Sequence, residues 1–253
     1  MSGVFVARMK ALPWGLRIAA RMLRARIRGE AALHDAVLEY VRCHAREGDP
    51  DAVLACLDRF AREKRFLMNV GDEKGPLLEE LVASRGTQAR IIELGSFVGY
   101  SAVLMSRLLG SPGDLFSVDV DQNATRVSSA VARHAGVGDR TTFLNGTLEQ
   151  VLGQGTHGLD RPFDIVFLDH WKSAYQADAQ RLLEHELIAP DGIVIADNLG
   201  TMFGHNDYVD WMLARDDFES TFIDAHVEYS NLKDRVMISR RQHTGASNGP
   251  SNT

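Results

Sequence analysis

The sequence predicts a doubly wound α/β fold: a mostly parallel sheet covered by helices on both faces, with extra helices before it and an antiparallel hairpin at one edge. From residue 90 onward, short apolar, β-rich runs alternate with helical patterns. Because these runs are apolar on both faces, they are typical of a parallel sheet buried between two helix layers. The last two β-rich runs have no helical pattern between them, so we expect them to pair as a hairpin.

The elements can be assigned in order along the chain. Residues 31–65 hold two helical stretches separated by Gly48-Asp49-Pro50, where Asp49 suits an N-cap and Pro50 a first helical turn. Residues 69–75 are predicted to form a loop that precedes a helix over 76–84. The predicted strands are 90–94, 115–120, 141–144, 164–168, 192–196, 221–227 and 235–240. The helical patterns between the strands are 100–109, 122–135, 173–187 and 205–215.

Composition places the chain among ordinary globular proteins. It has 253 residues, of which 45% are hydrophobic and 25% charged, enough to build a large core. The two cysteines, Cys43 and Cys56, are not in a CxxC pair, which indicates free thiols in a reducing compartment and predicts a cytoplasmic protein. No stretch approaches the ~20 apolar residues of a membrane-spanning helix.

Charge is distributed unevenly along the chain, whose net charge is −6. Residues 1–30 carry seven Lys and Arg against one Glu, a net charge of +6, which leaves −12 on the remainder. An acidic body argues against nucleic acid as a partner, because duplex binding needs a basic face. We therefore divide the chain into a basic amphipathic extension (1–30), one domain (31–240) and a disordered polar tail (241–253).

The basic extension has a helical charge pattern. Arg17, Arg21, Arg24 and Arg28 are spaced to form one stripe of a helix, broadly opposite an apolar face. This pattern suits peripheral contact with an anionic membrane surface. It also faintly resembles a transit peptide. A frayed extension and a helix packed on the acidic body are the alternatives.

A glycine loop after the first predicted strand is the first candidate binding element. The run from Glu93 to Ser101 reads ELGSFVGYS, and Gly95 and Gly99 allow close approach of a ligand to the backbone. Its spacing differs from the G-x-G-x-x-G of dinucleotide sites, and the glutamate suits a phosphate-free cofactor with a positively charged amino-acid end. Asp119 ends the next strand, where an acid accepts hydrogen bonds from ribose hydroxyls. A structural turn and a plain strand-end carboxylate are the alternatives.

Oxygen-bearing side chains follow two further strands. Asp169 ends the fourth predicted strand, and Asp197 and Asn198 end the fifth, so parallel strands bring all three to one edge of the sheet. Two carboxylates and an amide oxygen suit Mg²⁺, whereas helix N-capping is the alternative. Lys172 lies near this set, where a divalent cation lowers its pKa and makes it a candidate general base. A solvated surface lysine is the competing interpretation.

Six blocks between residues 31 and 240 form a characteristic set in order and spacing: MNVGDEKG (68–75), ELGSFVGYSAV (93–103), LNG (144–146), FLDHWK (167–172), ADN (196–198) and EY (228–229). Together they resemble the catechol O-methyltransferases, class I enzymes that depend on S-adenosylmethionine and Mg²⁺. The resemblance implies a seven-stranded methyltransferase sheet, both cofactors, and methyl transfer to a hydroxyl of a small catechol-type phenolic substrate.

The resemblance also implies roles for individual residues. Asp169, Asp197 and Asn198 correspond to the metal ligands and Lys172 to the catalytic base. The cofactor-binding residues that it implies are Met68, Val70, Gly71, Glu93, Gly95, Phe97, Ser101, Asp119, Val120, Glu149, Asp169, His170 and Trp171. The substrate-binding residues that it implies are Phe66, Asp169, Trp171, Lys172, Asn198, Met202 and Glu228.

The chain departs from the mammalian pattern around the acceptor slot and the cofactor edge. Phe66 stands where the family has a tryptophan, Met202 replaces a proline, Phe97 a tyrosine and Asp119 a glutamate. These changes leave the chemistry intact but affect acceptor preference. The alternatives are a methyltransferase for bulkier phenolics such as caffeate-like compounds or polyphenols, a non-catalytic S-adenosylmethionine-binding module, and a nicotinamide dehydrogenase.

Overall fold

A computed structural model describes residues 32–110, 114–155 and 158–242 and contains one seven-stranded sheet. The strands are β1 (Arg90–Leu94), β2 (Asp114–Asp119), β3 (Thr141–Asn145), β4 (Phe163–Leu168), β5 (Ile188–Ala196), β6 (Phe218–His226) and β7 (Lys233–Arg241). Their spatial order is β3-β2-β1-β4-β5-β7-β6; the first five are parallel, and β7 runs antiparallel to both of its neighbours. The predicted fold class, edge hairpin included, is confirmed.

Helices cover both faces of the sheet, and two of them precede it as predicted. The α-helices are α1 (Leu33–His44), α2 (Pro50–Glu63), α3 (Gly71–Ala83), α4 (Tyr100–Ser106), α5 (Gln122–His134), α6 (Leu148–Gly153), α7 (Tyr175–Glu184) and α8 (Asp207–Leu213). Three single 3₁₀ turns cover Gly138–Arg140, Lys172–Ala174 and Thr201–Phe203. Within the described ranges no helix is long and apolar enough to cross a membrane.

Alternate residues of the parallel strands face two separate hydrophobic clusters. On β1, Ile91 contributes to the cluster under α1 to α5, whereas Ile92 contributes to the cluster under α6 to α8. On β4, Ile165 and Val166 divide in the same way. This two-sided burial accounts for the continuous apolar runs, since a strand with one solvated face alternates apolar and polar residues.

Two helical starts differ in how well the sequence predicted them. Asp49 caps α2 as predicted, accepting a hydrogen bond from the backbone of Ala52 at 3.0 Å. The predicted loop at 69–75 is wrong from Gly71 onward, because α3 begins there and Pro76 lies inside the helix. The first turn of α3 contains Asp72 and Glu73, whose negative charges interact favourably with the helix dipole. The loop prediction rested on the glycines of this segment and did not take these acids into account.

Other differences concern boundaries and one short helix. The sequence reading missed α6, although its Thr-x-x-Gln start forms a complete capping box. Strand β5 begins at Ile188, earlier than the predicted 192, because an irregularity in its pairing with β4 accommodates the turn-like Pro-Asp-Gly segment. Strand β7 extends through Arg241, one residue into the predicted tail. The predicted basic helix within 1–30 and residues 243–253 of the tail lie outside the described residues.

Backbone hydrogen bonds between neighbouring strands continue past the strand ends and align the predicted site residues. The backbone N–H of Gly95 donates to Val118 O at 2.8 Å. The N–H of Asp169 donates to Leu94 O and that of Asp197 to Leu168 O, each at 3.0 Å. The first residues beyond β1, β4 and β5 are therefore held side by side at the carboxyl edge, where doubly wound sheets bind their ligands.

Candidate active site

A cavity of about 810 Å³ opens at the carboxyl edge of the sheet. It combines apolar walls with a few acidic and basic groups, as small-molecule sites do. Predicted site residues that line it are Met68, Gly95, Phe97, Asp119, Val120, Asp169, His170, Trp171 and Lys172. The other predicted residues are not among its described lining residues; these are Phe66, Val70, Gly71, Glu93, Ser101, Glu149, Asp197, Asn198, Met202 and Glu228.

The glycine loop is shaped by two positions that exclude a side chain. Gly95 has φ +109°, and a Cβ there would collide with the backbone carbonyl of Asp169. Gly99 has φ +85°, and its Cβ would lie 3.0 Å from the backbone of Ser128. Asp119 Oδ2 accepts backbone hydrogen bonds from Ser96 at 2.8 Å and Phe97 at 3.2 Å. The strand-end acid thus orders the loop while it lines the cavity.

Glu93 lies beneath this loop and is fully buried. The hydroxyls of Ser101 and Ser117 donate to its two carboxylate oxygens. Burial raises the pKa of Glu93 to about 7, although these two hydrogen bonds oppose the shift and Asp119 adds to it. A carboxylate whose ionised form is destabilised by burial is suited to receive a cationic group of a ligand, because that group offsets the cost of burying the charge.

Lys74 occupies the centre of a buried acidic cluster beside the cavity. Its Nζ lies 2.6 Å from Asp197 Oδ1, 2.7 Å from Glu228 Oε1 and 2.7 Å from Asp234 Oδ2. Burial lowers the pKa of Lys74, but the three carboxylates outweigh that effect and raise it. Lys74 is therefore a permanent cation whose three donors fix the orientation of three acids.

Asp234 also fixes the orientation of Asn198. Its Oδ2 accepts a hydrogen bond from Asn198 Nδ2 at 3.0 Å, and its Oδ1 accepts one from the backbone of Gly200 at 2.8 Å. Because the amide nitrogen is committed to Asp234, the amide oxygen of Asn198 is directed away from that carboxylate. Asn198 has φ +56°, a left-handed conformation that asparagine adopts more readily than most residues.

The carboxylates of the cluster outnumber the cations that face them. Burial raises the pKa of Asp197, and burial together with the charge of Asp197 raises the pKa of Asp169. Burial likewise raises the pKa of Glu228 to about 7, against the pull of Lys74. When every group is ionised, Asp169, Asp197, Glu228 and Asp234 carry −4, whereas Lys74 and Lys172 carry +2. The fully ionised cluster therefore has an excess of two negative charges, which together with burial raises the pKa values of Asp169, Asp197 and Glu228.

The predicted metal ligands form an oxygen-only donor set that suits a hard divalent cation. Lys74 and the backbone N–H of Asn198 both bind Oδ1 of Asp197, so Oδ2 is the oxygen that a cation would take. Across the described ranges, no three His, Cys, Asp or Glu side chains are arranged as a metal site. The predicted set does not match that pattern, because it has two carboxylates and takes its third oxygen from the amide of Asn198. The excess negative charge of the cluster fits Mg²⁺.

The residues after β4 form the rim of the cavity. Lys172 is half-buried, which lowers the pKa of its ammonium, while Asp169 opposes that shift. Its Nζ lies 4.3 Å from the centre of the Phe203 ring, a cation–π contact. Trp171 is 77% exposed, so its indole presents a free face at the opening.

A strained tyrosine anchors the loop that carries Glu228. Tyr229 has φ +54°, and its hydroxyl donates to Asp58 Oδ1 at 2.7 Å, which ties the loop between β6 and β7 to α2. Gly71 opens α3 against this loop, where a Cβ would lie 3.2 Å from Cγ of Glu228. One carboxylate oxygen of Glu228, Oε2, is buried and has no hydrogen-bond partner among the described residues.

The sequence missed several residues that shape the site. Lys74 lay within the predicted loop at 69–75. Asp234 lay in the predicted hairpin connection, and no motif or spacing in the sequence marks it as a site residue. Phe203 and Asp178 were also missed, and both sit in helical segments whose contacts depend on the tertiary fold. Of the peripheral predicted residues, Phe66 and Met202 are half-buried, and Glu149 pairs with Arg181 at 3.3 Å on the surface.

Comparison with known proteins identifies sequence relatives over most of the chain. A model of the O-methyltransferase family matches residues 46–207. Catechol O-methyltransferase of Mus musculus is 31% identical over 212 residues, which cover 83% of this chain and 79% of that protein. A probable O-methyltransferase of Mycobacterium tuberculosis is 36% identical over 214 residues, covering 80% of this chain and 89% of the relative.

Solved structures share the architecture at lower identity. An O-methyltransferase of tomaymycin synthesis from Streptomyces achromogenes, in complex with SAM, superposes with a TM-score of 0.64 at 21% identity, covering 82% of this chain and 96% of that one. An O-methyltransferase from Bacillus cereus, in complex with SAH, superposes with a TM-score of 0.61 at 19% identity, covering 82% of this chain and 97% of that one. At these identities the likeness establishes the fold.

Proposed function

The chain belongs to the O-methyltransferase family, and we propose that it transfers the methyl group of S-adenosylmethionine to one hydroxyl of a vicinal dihydroxyphenyl compound in a Mg²⁺-dependent reaction. The products are a methoxyphenol and S-adenosylhomocysteine. The observation that carries this proposal is the buried oxygen cluster beside the cavity, with its excess of two negative charges and one unpaired carboxylate oxygen. We also propose that the protein acts on its phenolic substrate in the cytoplasm.

The glycine loop and the acids around it form the cofactor side of the site. Glu93 would pair with the ammonium of the methionine moiety, a cationic group that offsets its burial. Asp119 would accept hydrogen bonds from the ribose, and His170 and Trp171 would border the adenine. When bound, the cofactor presents an electrophilic methyl group on a sulfonium for in-line displacement by oxygen.

The acidic cluster forms the acceptor side. Asp169, Asp197 and Asn198 would hold Mg²⁺ through their oxygens. A divalent ion held there would supply Lewis-acid stabilisation of the ionised hydroxyl of the acceptor. Glu228 Oε2 accepts a hydrogen bond from the hydroxyl that is not methylated. This bond gives a partner to a buried carboxylate oxygen that otherwise has none among the described residues.

Lys172 is the proposed base. Its pKa is lowered by burial, so a larger fraction of the amine is unprotonated and able to accept the proton of the reacting hydroxyl than in an exposed lysine. The proton transfer takes place at Nζ, and Phe203 beneath it accommodates the resulting ammonium by a cation–π contact. Alignment of the two reactants by the walls of the cavity supplies much of the remaining acceleration.

A bulkier phenolic acceptor is the second candidate. It is favoured by the exposed indole of Trp171, which leaves the rim of the cavity open on one side. Met202, where the resemblance implies a proline, is more adaptable in shape and accommodates larger rings.

The proposal is tested by incubation with methyl-labelled S-adenosylmethionine and either catechol or phenol, with Mg²⁺ or with excess chelator. We expect transfer to catechol with Mg²⁺, little transfer to phenol, and loss of transfer with chelator. A caffeate-like acceptor in the same assay distinguishes the second candidate. Transfer to catechol that is unaffected by chelator would overturn the metal dependence, and absence of transfer to every phenol would overturn the activity.

A further inference from the structure

His34 carries a buried ring nitrogen that no described residue binds. The residue belongs to the first turn of α1, and its half-buried side chain lines the large cavity. Nε2 is buried and has no hydrogen-bond partner among the described residues. The ring meets Phe97 edge-on, with centroids 5.7 Å apart and planes at 78°. Because buried polar atoms are nearly always paired, an unpaired nitrogen in a cavity wall points to a ligand group that completes it.

The neighbours of His34 place it in the part of the cavity that follows β2. Its ring contacts Phe97, whose backbone N–H donates a hydrogen bond to Asp119 at the end of β2. The next residue of α1, Asp35, pairs with Arg126 of α5 at 2.5 Å, and α5 begins three residues after Asp119. Helix α1, which precedes the sheet, therefore supplies a polar side chain to the same region of the cavity as the strand-end acid.

Asp119 has little acceptor capacity left for a ligand. Its Oδ2 accepts hydrogen bonds from the backbone of Ser96 at 2.8 Å and of Phe97 at 3.2 Å. Its Oδ1 accepts one from the backbone of Asp121 at 2.8 Å. A carboxylate offers about four acceptor positions, so these three bonds leave about one. A ribose presents two neighbouring hydroxyls, and a hydroxyl that is buried without a partner weakens binding. The second hydroxyl therefore requires a group other than Asp119.

We propose that Nε2 of His34 binds one ribose hydroxyl of the cofactor, while Asp119 binds the other. This inference rests on the proposed function, because it takes the cofactor's nucleoside as the ligand of this cavity. A hydroxyl both donates and accepts hydrogen bonds, so it pairs with Nε2 in either tautomer of the neutral imidazole. Binding of the ribose thus gives a partner to a buried nitrogen that has none in the free protein.

The test compares S-adenosylhomocysteine with its 2′-deoxy and 3′-deoxy analogues by titration calorimetry, without metal and without acceptor. Each analogue lacks one ribose hydroxyl and leaves that hydroxyl's protein partner unpaired. We expect wild-type protein to bind each analogue about 10-fold more weakly than S-adenosylhomocysteine, which corresponds to one buried hydrogen bond. Equal affinity of the wild type for all three compounds would overturn the inference.

Variants of His34 assign one of the two penalties to its ring. His34→Phe keeps an aromatic ring against Phe97 without nitrogens, and should abolish the penalty for one deoxy analogue while the other penalty persists. His34→Gln brings a polar amide to about the reach of Nε2 and should restore part of the lost preference. His44→Gln, at an exposed histidine of the same helix, is the control and should keep both penalties. Both penalties intact in His34→Phe, or both lost, would overturn the inference.

Nitrogen-15 NMR of the histidine rings covers the case in which His34→Phe does not fold, because it uses the wild-type protein. We expect the Nε2 resonance of His34 to shift on addition of S-adenosylhomocysteine, and to shift much less with one of the two deoxy analogues. No shift, or the same shift with all three compounds, would overturn the inference while leaving methyl transfer untouched. Failure of S-adenosylhomocysteine to bind would overturn both this inference and the cofactor assignment.

Discussion

The ammonium nitrogen of Lys74 lies 2.6 Å from Oδ1 of Asp197, and the same nitrogen lies 2.7 Å from Oε1 of Glu228. One buried cation on α3 thus orients both a proposed metal ligand after β5 and the proposed acceptor-binding acid between β6 and β7. These segments are far apart in the chain, and Lys74 links them through charge. One ammonium leaves the cluster short of positive charge, which favours a divalent cation at the neighbouring oxygens.

The variant Lys74→Met should destabilise the protein strongly. Removing the ammonium leaves three buried carboxylates without their shared partner, and breaking a buried ion pair from one side costs about 3–5 kcal/mol. Urea unfolding measures the change in free energy. Lys233→Met, at an exposed lysine, is the control and should change stability little. Equal stability of the two variants would contradict the role assigned to Lys74.

Glu93 should make the stability of the free protein depend on pH. The pKa of Glu93 is raised to about 7 from 4.5, so the folded state holds this proton more tightly than the unfolded state does. The resulting stabilisation is full below about pH 4.5 and is lost as the pH rises through about 7. The loss is about 3 kcal/mol.

The variant Glu93→Gln isolates this contribution. Glutamine retains an oxygen that accepts from the serine hydroxyls but does not titrate. The unfolding free energy of the wild type, measured in urea from pH 5 to pH 8, should fall relative to that of the variant. Parallel profiles for the two proteins would show that Glu93 does not titrate in this range.

Glu228→Gln should weaken acceptor binding without affecting the cofactor. The amide oxygen takes the bond to Lys74, and the NH₂ replaces the unpaired Oε2, so a donor faces the acceptor's hydroxyl. We expect the KM for catechol to rise about 10-fold. Calorimetry should give an unchanged Kd for S-adenosylhomocysteine. An unchanged KM, or a cofactor affinity that falls as far as the acceptor affinity, would place Glu228 elsewhere in the mechanism.

Lys172→Met should lower kcat by about 100-fold or more, because general-base catalysis contributes factors of that order. The methionine side chain retains the packing on Phe203 without an amine. Steady-state kinetics with catechol, at saturating Mg²⁺, separates kcat from KM. The matched control is Lys64→Met, at an exposed position after α2, which should retain wild-type kcat. A variant that changes only cofactor affinity would contradict the role of Lys172 as base.

The sequence predicted the sheet well because two-sided apolar runs and strand-end acids are local signals. Strand-end placement alone brought Asp169 and Asp197 to one edge, and the ladder bonds beyond β4 and β5 agree with it. Lys74 could not be found in this way, since its role depends on carboxylates that lie more than a hundred residues further along the chain. The hydrogen bond between Asp178 and His170 likewise depends on the tertiary placement of α7.

Binding of Mg²⁺ to the protein, measured by titration calorimetry with S-adenosylhomocysteine and catechol present, tests the central claim most directly. Wild-type protein should bind one Mg²⁺ ion per chain. Asn198→Gly removes the amide oxygen, tolerates the φ of +56° at this position and should abolish that binding, while S-adenosylhomocysteine still binds in the absence of metal. Equal Mg²⁺ binding by the wild type and the variant, or none by either, would contradict the assignment of the acidic cluster as a metal site.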